Sequence, residues 1–234
     1  MDEMEMLSLD VLAELDIETL DKLTRVSPFR GPQRYFHIKT IQRRDFFCLP
    51  SKASDDNLFV EHLYATLSAW GIGARGNRLI EFDEFNAQIR QAGGNLDPLG
   101  NKRIEELSQS QVSAVSETLW EVISNLSIVV RSKDGSPTKA KIVAGSKTIH
   151  HLLPDLMPPM DNGYTGEFIL GSGIGQRGKG TFIRLFSSFA DLSKKLEPKA
   201  NSLVDRNSFN SSIPKLLDNV IVGSVELSKR TTGG

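Results

Sequence analysis

Residues 143–165 read VAGSKTIHHLLPDLMPPMDNGYT and gather a lysine, an aspartate, two histidines and a tyrosine into one short stretch. Gly145 turns the chain before Ser146, Lys147 and Thr148, which open a helix in this reading. A lysine at a helix start faces the positive end of the macrodipole. That field disfavours the ammonium form and makes the amine a better nucleophile or base. Pro154 stops the helix, and Pro158 and Pro159 set an extended approach to Asp161, expected at the next helix N-cap. A bend between the two residues would return the carboxylate to the amine. The simpler alternative leaves Lys147 and Asp161 as a solvated helix-start residue and a cap.

His150 and His151 point about 100° apart on a helix, which does not suit one shared metal ion. One is expected to be buried and hydrogen-bonded while the other faces out. The remaining histidines are His37 and His62, and no H-E-x-x-H pattern occurs. No metal and no cofactor is therefore expected, and Tyr164 is a further polar candidate beside Asp161.

Two stretches imitate phosphate-binding loops. Gly71, Gly73 and Gly76 match G-x-G-x-x-G but follow a helix, so a helix C-cap and turn is the expected role. In loop 173–181, Gly173, Gly175 and Gly178 lead to Lys179, but Gly180 occupies the position of the magnesium-binding hydroxyl. A flexible surface loop is expected there, with nucleotide binding as the alternative. Lys215 and Asp218 lie three apart on one helical face, which predicts a local salt bridge. Trp70 and Trp120 are assigned to core packing, as are Tyr35 and Phe36, with stacking on a nucleic-acid base as the alternative for the latter two.

The stretches GSKTIHHLLPDLMPPMDNGYT and SSIPKLLDNVIVG resemble a family of prokaryotic helical proteins to which no activity is attached. The resemblance spans roughly residues 58–225. A second resemblance, over about 20 residues, is to helix-hairpin-helix DNA glycosylases. Gly145, Ser146, Lys147 and Thr148 are similar to the hairpin G-P-K-T of that family, and Pro159, Met160 and Asp161 to its P-V-D. It implies that Gly145, Ser146 and Thr148 hold a DNA phosphate, that Lys147 attacks the sugar C1′, and that Asp161 stabilises the developing positive charge. The chain departs from that pattern at the first hairpin glycine, where Val143 or Ala144 stands, and in its short Lys-to-Asp spacing.

The elements that must position these residues are mostly helical. Leu9, Leu12, Leu15, then Ile17, Leu20 and Leu23 recur at helical spacing. Ser54 is expected to cap a helix that aligns Phe59, Leu63, Leu67 and Trp70 and ends at Gly71. A short helix over 83–89 is expected to stop at Gly93-Gly94. A longer one begins at Ser110 or Ser113, with Val115, Leu119, Val122 and Leu126 inward. Another runs from Thr181 to Leu196, and Ser212-Ile213-Pro214 opens a last one. Strand signals are confined to Tyr35–Ile41 and Ser127–Arg131. The expected class is mainly α, a helical bundle of one or two lobes with at most a small β-hairpin. Residues 1–54 are read as N-terminal acidic helices and a basic linker, 55–228 as the helical core, and 229–234 as a flexible tail.

The net charge of −1 supplies no bulk attraction for nucleic acid. The charge is uneven, however: residues 1–24 carry eight acids against one base, and residues 131–199 carry a net of +5. Arg131, Lys133, Lys139 and Lys141 in that basic stretch are candidates to meet a DNA backbone. A lone cysteine, an acidic N-terminus and the lack of a long apolar run lead to an expected cytoplasmic protein without a membrane span. Three functions are expected to compete. They are a DNA glycosylase/lyase-like enzyme using Lys147, a non-catalytic helical module that binds a protein partner, with phage defence as a setting, and a nucleotide binder using loop 173–181.

Overall fold

A computed structural model describes residues 8–72, 77–131, 135–138, 141–175 and 177–232. The fold is mainly α. The chain begins with α1 (Leu9–Glu14) and α2 (Ile17–Val26). Each is started by a side-chain cap, the Val11 N–H donating to Ser8 Oγ and the Thr19 N–H to Asp16 Oδ1. Next come α3 (Pro32–Arg44), α4 (Pro50–Ser54) and α5 (Asn57–Ala69). Tyr35–Ile41, expected as a strand, lies inside α3. Pro32 in the first turn starts that helix, and its inner face buries His37, Thr40 and Ile41 against α5. The cap of α5 is Asp56 rather than Ser54, which ends α4. Gly71 then takes a left-handed φ of +76° after the helix, as a terminating glycine should.

The next helix, α6 (Phe82–Leu96), runs straight through Gly93 and Gly94, the expected stop. At Gly93 a Cβ would come within 2.1 Å of Ser54 Oγ, so this glycine allows α4 to pack closely rather than ending a helix. A capping box formed by Ser108 and Gln111 starts α7 (Gln109–Asn125) earlier than the expected serines. The strands β1 (Asn77–Leu79), β2 (Val129–Arg131) and β3 (Pro137–Thr138) form a small antiparallel sheet in the order β1-β2-β3. Arg78 pairs with Val130, and Val130 with Pro137. After α8 (Ile142–Leu152) and α9 (Thr165–Leu170), the long α10 (Lys179–Ala200) buries Phe182, Leu185, Phe186, Phe189 and Leu192, the expected stripe. The final α11 (Ile213–Thr232) extends through most of the expected tail.

One apolar cluster runs through the molecule. Leu12, Leu20 and Leu23 from α1 and α2 belong to it, as do Leu67, Leu119, Ile149, Phe186 and Val220. Close approach of α2 to α11 depends on Gly223, where a Cβ would fall 2.0 Å from the Leu23 carbonyl oxygen. Among the described residues no helix is long and apolar enough to cross a membrane.

Candidate functional site

The site is built on α8 and α11, with the turn before α9 as its edge. Lys147 is the sixth residue of α8, not its first, because the helix begins at Ile142. The macrodipole therefore does not act on its amine, since that field fades within the first turn. Gly145 likewise makes no hairpin. Its N–H donates to the Lys141 carbonyl within the helix, and a Cβ there would sit 2.6 Å from Ile123 Cγ2 on α7. The residue is glycine because two helices touch at that point.

The expected phosphate cradle is thus absent from Gly145, Ser146 and Thr148. Ser146 and Thr148 are fully buried, and their hydroxyls donate to the Val143 and Ala144 carbonyls. Ser146 Oγ also accepts from the Met160 N–H at 3.0 Å, which ties α8 to the segment leading to Asp161. Arg131 and Lys141 are exposed, as a backbone contact would require. Lys133 and Lys139 lie outside the described residues.

The amine and the carboxylate do meet. Lys147 Nζ donates to Asp161 Oδ2 at 2.8 Å, and Lys147 is only 6% exposed. Asp161 does not cap α9, whose N-cap is Tyr164. Its Oδ1 accepts from the Gly163 N–H, and its own N–H donates to Thr165 Oγ1. Burial alone would raise the Asp161 carboxyl. The Lys147 ammonium and the neighbouring N–H groups outweigh burial and hold it below its ordinary value. Tyr164 donates to Glu226 Oε1 at 2.9 Å, and burial with that acceptor pushes its phenol well up.

A second pair lies behind the first. Lys215, 1% exposed, donates to Asp218 Oδ2 at 2.7 Å and also to Asn219. The predicted i,i+3 contact is present, and it lies in the interior. Burial lowers the Lys215 ammonium and raises the Asp218 carboxyl, each against the pull of its partner. Lys215 Nζ sits 3.9 Å from the Phe209 ring centroid and 5.4 Å from that of Trp70, while Lys147 Nζ is 5.9 Å from Trp70. Both pairs line one hollow with Phe29, Trp70 and Phe209. Its free volume, about 10 Å³, holds roughly one water.

Phe209 also walls a larger cleft of about 340 Å³, lined by Asp21, Arg25, Arg30 and Arg34. Arg25 pairs with Asp21. Among the described residues Arg30 and Arg34 have no carboxylate within salt-bridge distance, and both donate to the Phe29 carbonyl. Burial lowers the Arg34 guanidinium, and the charge of Arg30 lowers it further.

Three histidines lie beside Trp70. His37 stacks on Trp70 with ring centroids 5.4 Å apart. His150 and His151 are both fully buried, against the expectation that one faces out. Their rings, 5.1 Å apart, converge on His37 despite their angular separation on the helix. His150 Nδ1 lies 2.7 Å from the Met157 carbonyl, and His151 Nδ1 2.8 Å from that of Lys147. His37 Nδ1 is 3.1 Å from His151 Nε2, and His37 Nε2 is 2.8 Å from Ser211 Oγ. Burial holds all three neutral, His151 being lowered to about 4.

Loop 173–181 has the wrong neighbours for a phosphate loop. Helix α9 precedes it rather than a strand, and exposed Lys179 pairs with Glu117. The Gly175 N–H, which a phosphate would need, donates to Asn162 Oδ1 at 2.7 Å. Tyr35, assigned to the core, is 57% exposed. Comparison of the chain with family models, with curated proteins and with solved structures found no match in any of the three.

Sequence reasoning missed His37, Phe29 and Phe209 as parts of this region and predicted the Lys215–Asp218 bridge without its burial. Lys215 did carry a signal: it interrupts an apolar run, IPKLLDNVIV, on the inward face of its helix. His37 carried none, because only the packing of α3 on α8 brings it to the other histidines.

Proposed function

We propose that this chain is a DNA-acting enzyme of the glycosylase/lyase kind, with Lys147 as nucleophile and Asp161 as its electrostatic partner. The observation that carries the reading is the 2.8 Å approach of a 6%-exposed amine to a carboxylate on the wall of one hollow. A buried ion pair contributes little net stability, and one that borders a hollow is a candidate for chemistry. In the reaction the C1′–base bond breaks, its electrons leave with the base, and the base takes up a proton. The Lys147 amine, having lost one proton, bonds to C1′. The nitrogen passes a second proton to the ring oxygen as the C1′–O4′ bond breaks, which yields the protonated Schiff base and a free hydroxyl. Asp161 stabilises positive charge at the sugar throughout. Arg30 and Arg34, across Phe209, supply the phosphate-facing charge in place of a hairpin cradle.

Borohydride trapping tests this on duplexes carrying an abasic site or a set of modified bases. A covalent protein–DNA adduct is expected with the wild type and none with Lys147→Gln. No adduct with any duplex, from protein that is folded by circular dichroism, would overturn the proposal, as would equal adduct with Lys147→Gln.

The size of the hollow favours a second reading. Space for one water admits no nucleobase without opening, which suits a non-catalytic helical module whose partner is another protein. There, Lys147→Gln alters stability or partner capture, and trapping is absent throughout.

A further inference from the structure

The chemistry proposed for Lys147 makes no use of the three buried histidines. Met157 and Lys147 offer carbonyl oxygens, which only accept, so His150 and His151 both carry their proton on Nδ1. Their Nε2 atoms therefore present lone pairs. That of His151 is met by His37 Nδ1. That of His150 is buried and has no hydrogen-bond partner. An unmatched imidazole lone pair is costly in the interior; His62 Nδ1 is also unmatched, but only the His150 nitrogen lies beside two further imidazoles.

We propose that His37, His150 and His151 form a three-nitrogen site for a first-row transition-metal dication of the zinc type, which ties α3 to α8. The ligand atoms all lie within 4.8 Å of one another. Tetrahedral zinc with Zn–N bonds of about 2.0–2.1 Å separates its nitrogens by about 3.3 Å. The His37–His151 separation of 3.1 Å already meets that requirement, and rotation of the imidazole rings closes the rest. Outside the ligand atoms, the second nitrogen of each ring is engaged, as metal-bound histidines require. His150 and His151 donate to backbone carbonyls. On binding, His37 moves its proton from Nδ1 to Nε2 and donates it to Ser211 Oγ, so no proton is released.

The nearby cations are ion-paired, although Lys215 and Arg206 still act against positive charge at the histidines. Lys215 is balanced by Asp218, Lys147 by Asp161, and Arg206 by Asp155 with Asp45 at 3.6 Å. An all-nitrogen set selects zinc, cobalt, nickel or copper over magnesium or calcium.

The test uses the full chain stripped with a chelator and dialysed against Zn2+, Co2+ or Mg2+. One Zn2+ per chain is expected by elemental analysis, with a higher Tm in Zn2+ and no change in Mg2+. Co2+ should produce a visible d–d absorption band that is absent in Mg2+. His150→Ala and His37→Ala should each lower the bound zinc at least tenfold, whereas His62→Ala leaves it intact. Should the histidine variants misfold, the Co2+ spectrum and chelator-dependent Tm of the wild type decide alone. Folded wild type that takes up no Zn2+ and shows no Co2+ band, or zinc that persists in both variants, overturns the site. Neither outcome depends on borohydride trapping, so the two proposals fail separately.

Discussion

The two Lys–Asp pairs differ in depth, and depth sets what each contributes. Lys215 and Asp218 are almost wholly enclosed, whereas a quarter of the Asp161 side chain reaches solvent. Removing one partner of an enclosed pair strands a charge and costs about 3–5 kcal/mol. Asp218→Asn should therefore lower stability by about that amount in urea titration, and Asp161→Asn by less, because water screens the ammonium it leaves behind. The joint replacement Lys215→Met with Asp218→Leu should recover most of the loss. The sign of the pH effect at Asp161 follows from its low carboxyl. Its contribution is full above the unfolded value of about 3.8 and is lost as pH falls through the lower folded value. A plot of Tm against pH should be shallower below pH ~4 in Asp161→Asn than in the wild type. Equal acid slopes would remove the pair from any account of acid stability.

Among the helices, glycine position decides between strength and contact. Gly94 lies inside α6 with nothing within 4 Å of a notional Cβ, so Gly94→Ala should stabilise by about 0.5–1 kcal/mol. Gly145 and Gly223 lie where helices meet, against Ile123 and the Leu23 backbone. Alanine at Gly145 should cost about 1–3 kcal/mol, since Ile123 must shift. At Gly223 the obstacle is backbone and the loss should be larger. Thermal melts of the three variants test the order. A stabilised Gly223→Ala would mean that α2 and α11 are not packed this closely.

For the whole molecule, the acidic N-terminal helices share the core rather than decorating it. Leu12, Leu20 and Leu23 are buried, and α2 covers the glycine face of α11, the helix that carries Lys215 and Asp218. Deleting residues 1–27 exposes that face and one wall of the arginine cleft. The truncated chain should show loss of near-UV circular dichroism and of cooperative urea unfolding. A truncated chain that unfolds cooperatively at the wild-type midpoint would make residues 1–27 an appendage.

Helical class, the α10 stripe and the α11 start were legible in the sequence, because periodicity and capping are local properties of a chain. The sequence left the Lys147–Asp161 pairing open beside a solvated lysine and a helix cap, and the tertiary structure decided for the pairing. The role of Gly145 was not legible, because a glycine at a turn and a glycine beneath a neighbouring helix look alike until Ile123 is in place. Tyr35–Ile41 has strand-like composition, yet Pro32 and the packing against α5 make it helix. The burial of Lys215 and the meeting of His37 with His150 and His151 were decided by tertiary structure alone. Those contacts join residues more than a hundred positions apart, and only the packing of α3, α8 and α11 sets the distances between them.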